Sequence, residues 1–579
     1  MEFLMQKTKV NVIRCWFNCL ALLTGVIWSP TLHGEWRDDI GHTKLVSILG
    51  SSAPNGAGVP ISIVEAGEGA ASNFSPNVAD VDFSEGTDPL GTAVNFINGS
   101  ISQGNGISNH ANSQARSFFG NTTSLAPAAN TVTIYQANNY LNNILNMSSS
   151  NASLPDIQNF RVQNFSWVAT YATPNDDTPI PTLSELNNDR EALRRFDYVI
   201  DTNNITASVG VGNGGTIANL LSHSYNAIAV GLTNGNHSRG PTTLNDYGTG
   251  RIKPELVVPR NDSSAATASV SSAATFLHSS NAVLGTDAAQ SETLKAILLA
   301  GATKDEFPSW SQVDTDGEWH PLDTTYGAGE LNIYNSYLTV LGGQTMGSTS
   351  TPALAASHGW DYQAVQPGTG NELLYDFVIP TGSVATELSI VMTWNAKIEA
   401  PFNTGDPLVA DLNLELVDVN GVTVDFNIND GFVDGLSQSD VDNVEHLYLT
   451  DLASGTYTLK VTSEDIASDF GIAWRTSTRF EVASADFDGG GDTNGADFLA
   501  WQRGFGKLVG AARADGDADG DGDVDGDDLA IFSEVFGGGE ALLSSSLLLV
   551  PEPLGGELIG MGILLVFSLR NYRLCRARN

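Results

Sequence analysis

Two kinds of hydrophobic pattern divide this chain. From about residue 59 to 343, apolar β-branched runs alternate with longer stretches of helical period. VPISIV, NTVTIYQA, FRVQNFSWV, ITASVGVG and NAIAVGL read as strands. SELNNDREALRRFDYVID, AATASVSSAATFLHSS and SETLKAILLAGAT read as helices. Strands that alternate with helices predict a parallel α/β sheet with crossover helices on both faces. From about 353 to 482 the helical period fades. TELSIVMTW, ADLNLELVDVNG and GTYTLKVTS alternate apolar and polar residues between turn signals, which predicts a β-sandwich. GQTMGSTST, residues 344–352, reads as the linker between the two.

A third pattern is a repeat. ADFDGGGDTNGADFLAWQRGFG is echoed by DGDADGDGDVDGDDLAIFSEVFG, within 485–537. Each half is an Asp-rich loop, an apolar helix start and Phe-Gly. A twelve-residue calcium loop takes oxygen ligands at positions 1, 3, 5, 7, 9 and 12, with glycine at 6. The second half supplies Asp517, Asp519, Asp521, Asp523, Asp525 and Asp528 at those positions, with Gly522 at position 6. The first supplies Asp486, Asp488, Asp492, Asn494 and Asp497, with Gly490 in place of a ligand at position 5. Structural calcium is the expected cofactor, held more weakly by the first loop. No catalytic metal is expected.

The ends carry a different signal. Lys7, Lys9 and Arg14 precede the apolar run CWFNCLALLTGVIW, the pattern of an export signal over residues 1–34. At the other end Pro551-Glu552-Pro553 precedes an apolar segment, 554–569, and then Arg570, Arg573, Arg576 and Arg578. As a helix that segment would span about 24 Å, short of a hydrocarbon core of about 30 Å. A transient anchor is expected, with a stable single-pass anchor as the alternative. The cysteines, Cys15, Cys19 and Cys575, all fall in these ends, so no thiol chemistry is expected of the mature protein. The formal charge of −39 argues against nucleic acid as a partner.

Four short stretches carry the candidate chemistry: GAGVPISIVEAG with Glu65, SNHANSQA with His110, VGVGNGG with Asn213, and IKPELVVPRNDSSAATASV with Ser264. A hydroxyl nucleophile needs a base, an acid to orient the base, and donors for the oxyanion. In their order and flanking strands these stretches resemble the subtilisin-like serine peptidases, over residues 40–343. KPELVVP is similar to the family's approach to its serine, and VGVGNGG to its oxyanion loop. The resemblance implies Ser264 as nucleophile, His110 as base, Glu65 in the acid position where the family has aspartate, and Asn213 as oxyanion donor. Ser263 and Ser269 are alternative registers for the nucleophile. Asp262 stands where the family has glycine, and a carboxylate there opposes developing negative charge. Two functions are therefore expected in competition: a serine endopeptidase acting on proteins or peptides, and an inactive copy of the fold kept for binding or assembly.

The repeat resembles a type I dockerin, which implies a cohesin-like partner. The C-terminus resembles a PEP-CTERM sorting signal, over 550–579, which implies processing by an exosortase-type enzyme and a location at the cell envelope or outside it.

Overall fold

The computed structural model describes residues 36–536 except 70, 85–92, 101–105, 170–182, 215–219, 243–247, 281–283, 405–406, 427–431, 481–483 and 492. The expected export signal and sorting segment, and Asp492, lie outside the described residues.

Seven parallel strands form the first sheet: β1 (Ile61–Glu65), β2 (Asn95–Asn98), β3 (Thr131–Gln136), β4 (Val162–Phe165), β5 (Thr206–Gly210), β6 (Ile228–Leu232) and β7 (Leu256–Val258). Their order is β2-β3-β1-β4-β5-β6-β7. The chain builds outward from β1 in one direction, then from β4 in the other. Such a reversal opens a crevice at the carboxyl ends of the strands.

The helices that accompany this sheet are α1 (His42–Leu49), α2 (Asn109–Phe119), α3 (Leu183–Asn203), α4 (Ser263–His278), α5 (Ser291–Ala300) and α6 (Ile333–Gly342). β1 shows why both faces are covered. Ile61 and Ile63 join the core that contains the alanines of α4, while Val64 joins the core that contains Phe196 and Ile200 of α3. The period of two sends alternate apolar residues to opposite faces, so each face needs its own helix layer.

The sandwich contains β8 (His358–Val365), β9 (Leu373–Ile379), β10 (Ser383–Thr393), β11 (Leu412–Val417), β12 (Val444–Leu449), β13 (Gly455–Ser463) and β14 (Ser468–Phe480). One sheet runs β8-β14-β10-β12; the other centres on β9-β13-β11. Trp394 and Trp474 fill the space between them. The segment 344–352 is no free linker. Asp361 is fully buried, and its carboxylate gathers donors from Gln344 Nε2 (3.0 Å), the Gly347 amide (3.0 Å), the Tyr362 amide (2.8 Å) and the Tyr375 hydroxyl (2.8 Å). A buried carboxylate is costly unless hydrogen-bonded, and this need stitches the segment onto the sandwich.

The sandwich also covers α5. Arg475 donates from Nε to the Ala300 carbonyl (2.9 Å), and Thr393 Oγ1 donates to the Glu292 carbonyl (2.6 Å). Gly471 lies so close to α5 that a Cβ there would meet Thr293 Cα at 2.3 Å. Both partners are backbone, so neither can rotate away. Gly471→Ala is expected to destabilise the chain by about 1–3 kcal/mol, the usual range for overpacking. Thermal melting of the variant checks this; an unchanged midpoint contradicts so tight an approach.

Beyond the sandwich, α7 (Gly495–Gly504) and α8 (Gly526–Val535) pack through Phe487, Trp501, Val524 and Phe532. Each helix follows an Asp-rich loop and opens with a reciprocal cap, Asn494 with Asp497 and Asp525 with Asp528. This unit sits against the rest of the protein. The Phe480 amide donates to the Asp519 carbonyl (2.5 Å), and Lys44 Nζ donates to Asp525 Oδ2 (3.3 Å). Among the described residues no helix is long and apolar enough to cross a membrane.

Candidate active site

Glu65 is the last residue of β1 and is fully buried. His110 is the second residue of α2, whose start is fixed by Ser108, the Oγ of which accepts from the Ala111 amide (3.0 Å). Strand end and helix start bring His110 Nδ1 to 2.7 Å from Glu65 Oε2. A carboxylate can only accept here, so Nδ1 carries the proton and Nε2 is left as the basic nitrogen. The other carboxylate oxygen, Glu65 Oε1, is buried without a partner.

Ser264 is the second residue of α4. Asp262, where the resemblance leads one to expect glycine, is the N-cap of this helix and accepts from the Ala265 amide (2.8 Å). Its carboxylate is thus bound to the helix start, where the positive end of the dipole also favours it. The Ser264 hydroxyl donates to the Ser166 carbonyl (3.1 Å), and the Ser166 hydroxyl donates back to the Ser264 carbonyl (2.9 Å). A hydroxyl has one proton, so in this arrangement Ser264 does not donate to His110. The hydroxyl must leave the Ser166 carbonyl before any proton transfer between them.

The alternative serines are placed differently. Ser269 is fully buried and its hydroxyl donates to the Ala265 carbonyl (2.8 Å). Ser263 is buried and its amide donates to Asn213 Oδ1 (2.8 Å). That bond orients the Asn213 side chain, leaving its NH₂ group as the end open to a ligand. His110, Asn213, Ser264, Ser166 and Trp167 line one open cavity of about 320 Å³. Sequence reasoning overlooked Ser166 and Trp167, although both directly follow the strand FRVQNF. It also overlooked Glu68, which lines the same cavity and accepts from the Asn109 amide (2.9 Å).

The electrostatics follow from this placement. The hydrogen bond to Glu65 raises the His110 pKa above its ordinary value; burial opposes the shift, and the charges of Glu65, Asp262 and Glu68 add to it. Burial pushes the Glu65 carboxyl up, against the stabilising bond from His110.

The candidate metal ligands lie away from this cavity. Asp486, Asp488 and Asp497 offer oxygens within 4.8 Å of one another. In the second loop the carboxylates form two trios, Asp517/Asp519/Asp521 and Asp523/Asp525/Asp528, where the loop pattern predicts one ligand set. Crowding of like charge favours that split, and Lys44 draws Asp523 and Asp525 to its own side. Burial, with the nearby carboxylates, raises Asp517 and Asp523 to about 7. Asp523 Oδ1 is buried without a partner.

No family model and no curated protein matches the chain. Among solved structures, it is similar to tripeptidyl peptidase 2 at 11% identity, covering 65% of this chain and 42% of that one, with a TM-score of 0.27. It is similar to fervidolysin from Fervidobacterium pennivorans, a keratinolytic enzyme related to subtilisin, at 11% identity, covering 70% and 52%, with a TM-score of 0.29. A third is the subtilisin-like protease Apa1 from the Antarctic psychrotroph Pseudoalteromonas sp. AS-11, at 11% identity, covering 52% and 96%, with a TM-score of 0.31. The chain spans about half or less of the length of the first two.

Proposed function

We propose that this protein is an exported serine endopeptidase of the subtilisin-like kind. The observation that carries the reading is the 2.7 Å bond between His110 and buried Glu65, made on the wall of a cavity that Ser264 also lines. In the reaction, Ser264 Oγ turns from the Ser166 carbonyl and attacks the peptide carbonyl. His110 Nε2 takes the hydroxyl proton and returns it to the leaving amine. Glu65 holds the Nδ1 proton and stabilises the imidazolium. The Asn213 amide and the backbone N–H of Ser264 receive the oxyanion, a contribution worth about 10²–10³ in rate for one donor. Water then hydrolyses the acyl-enzyme by the reverse of these steps.

A second reading has its own observation. The Ser264 hydroxyl bonded to Ser166 favours a protein that keeps the fold for binding or assembly. A fluorophosphonate probe separates the two. Wild type is expected to label and Ser264→Ala is not; an unlabelled wild type decides for the binding protein.

The pH profile follows from His110. The base works when neutral, and its pKa is raised. Activity should therefore rise with pH, with the acid limb of kcat/KM lying above the ordinary histidine value of about 6.5. Glu65→Gln removes the charge and leaves only a neutral acceptor for Nδ1, so the limb should move to lower pH as the rate falls. A limb that stays in place would separate Glu65 from the base.

In this reading residues 485–537 are a dockerin-like calcium module, with a cohesin-like protein as its partner. Asp486, Asp488 and Asp497 would hold one ion; Asp517, Asp519, Asp521 and Asp528 would hold another, with Asp523 contributing its carbonyl. The unpartnered buried oxygen of Asp486 and its convergence with Asp488 and Asp497 fit a cation in the first loop, whereas the two trios of the second would have to regroup around one ion. Bound calcium would neutralise the loops and fix their turns. Residues 550–579 are read as a sorting segment removed by an exosortase-type enzyme at the envelope.

A further inference from the structure

A second cavity, of about 490 Å³, lies beside the loop that leads into α4. Pro259, Arg260 and Asn261 line it, together with Glu306, Phe307 and Glu330. Glu330 bridges to Val257 of β7 and to Thr303, so the sheet edge itself presents it. It is 5% exposed, and among the described residues its carboxylate has neither a hydrogen bond nor an ion pair. A buried carboxylate is ordinarily paired or neutral. Burial first, then the charges of Asp39, Glu306 and Asp305, raise it to about 7.

The cation already at this cavity is engaged elsewhere. The Arg260 guanidinium donates to Ser117 Oγ (2.8 Å) and lies 4.7 Å over the Trp36 ring. The acids here do not converge as metal ligands do. Among the described residues, the trios of groups with ligand atoms within 4.8 Å include neither Glu330 nor Glu306. An open cavity of this volume, walled by separated carboxylates and by the buried Phe307 ring, fits a long cation with an apolar stem. The three residues from Asn261 to Ser264 span at most about 11 Å. A peptide whose carbonyl lies on Ser264 would reach the cavity within a few residues.

We propose that this cavity is a subsite for a lysine or arginine side chain of a peptide, with Glu330 receiving its charge. The proposal rests on the peptidase reading only for the register of the peptide. The test uses the full chain carrying Ser264→Ala and labelled decapeptides in which lysine, or its uncharged acetyl form, is walked along the sequence. Fluorescence anisotropy is expected to show one position where lysine binds at least tenfold more tightly. Glu330→Gln in the same background should reduce that preference to less than twofold. Glu306→Gln, at the exposed mouth, should weaken it too, and does not depend on a buried substitution being tolerated. Equal affinities at every position, no peptide binding, or a preference that survives Glu330→Gln would overturn the proposal. So would a calcium titration in which Glu330→Gln binds one ion fewer, since the cavity would then be a metal site. Fluorophosphonate labelling of wild type reports on Ser264 separately. A chain that does not label but keeps the lysine preference loses the enzyme reading and retains the subsite.

Discussion

Ser264→Ala is expected to lower kcat/KM for a peptide substrate by at least about 10³, the scale on which loss of a triad nucleophile acts. Ser263→Ala and Ser269→Ala are expected to change it by less than tenfold. The difference comes from geometry. All three serines lie within the first two turns of α4, but Ser269 is wholly buried with its hydroxyl on the helix backbone, and Ser263 is buried beside Asn213. Ser263 and Ser264 both line the cavity with His110, but Ser264 alone of the three is partly exposed. His110→Ala should match Ser264→Ala, and the double variant should be little worse than either single one, because a nucleophile and its base act as a unit. Hydrolysis of a quenched peptide by the five variants settles the order. Equal rates for wild type and Ser264→Ala would leave a fold used for binding.

The residues that make strands and helices were legible because alternation and helical period record burial directly. VPISIV became β1, ITASVGVG became β5, and the Ala/Ser-rich run became α4. The positions of Glu65 at a strand end and of His110 and Ser264 at helix starts could be read for the same reason. Contacts between distant segments were not legible. Asp262 read as a charge in the wrong place, and its use as a helix cap depends on a local hydrogen bond that spacing alone does not distinguish. The segment 344–352 has linker composition, yet it is fixed by one buried carboxylate 14 residues from Gly347. KPELVVP marked the approach to Ser264. It gave no sign that Glu255 is buried between Lys253 (2.6 Å) and Lys295 (2.8 Å), a charge cluster that ties the approach strand to α5. Nor did the Asp-rich repeat show that its second loop rests on Phe480 and Lys44.

That last contact shapes the expected response to calcium. Addition of EGTA to the full chain is expected to lower the melting midpoint of the module formed by α7 and α8. An ion held only by the folded state adds about 2.7 kcal/mol at a free concentration one hundred times its Kd. The two loops should not contribute equally. The second has a carboxylate at each side-chain position, whereas the first has Gly490 at position 5. Asp517→Ala is therefore expected to remove most of the calcium-dependent shift, and Asp486→Ala a smaller part. The effect should extend beyond the module. The Asp519 carbonyl receives the Phe480 amide, the Gly520 carbonyl receives the Thr478 hydroxyl, and both donors belong to β14 of the sandwich. Loss of loop order should loosen that strand end as well, which hydrogen exchange at Phe480 would register as faster exchange in EGTA. The module's own reporter is Trp501, whose Nε1 donates to the Asp525 carbonyl (2.9 Å) at the start of α8. Its fluorescence, isolated by difference from Trp501→Phe, should change on calcium addition in wild type and remain flat in Asp517→Ala. Identical melting curves with and without EGTA would mean that the carboxylate trios order the module by hydrogen bonds alone.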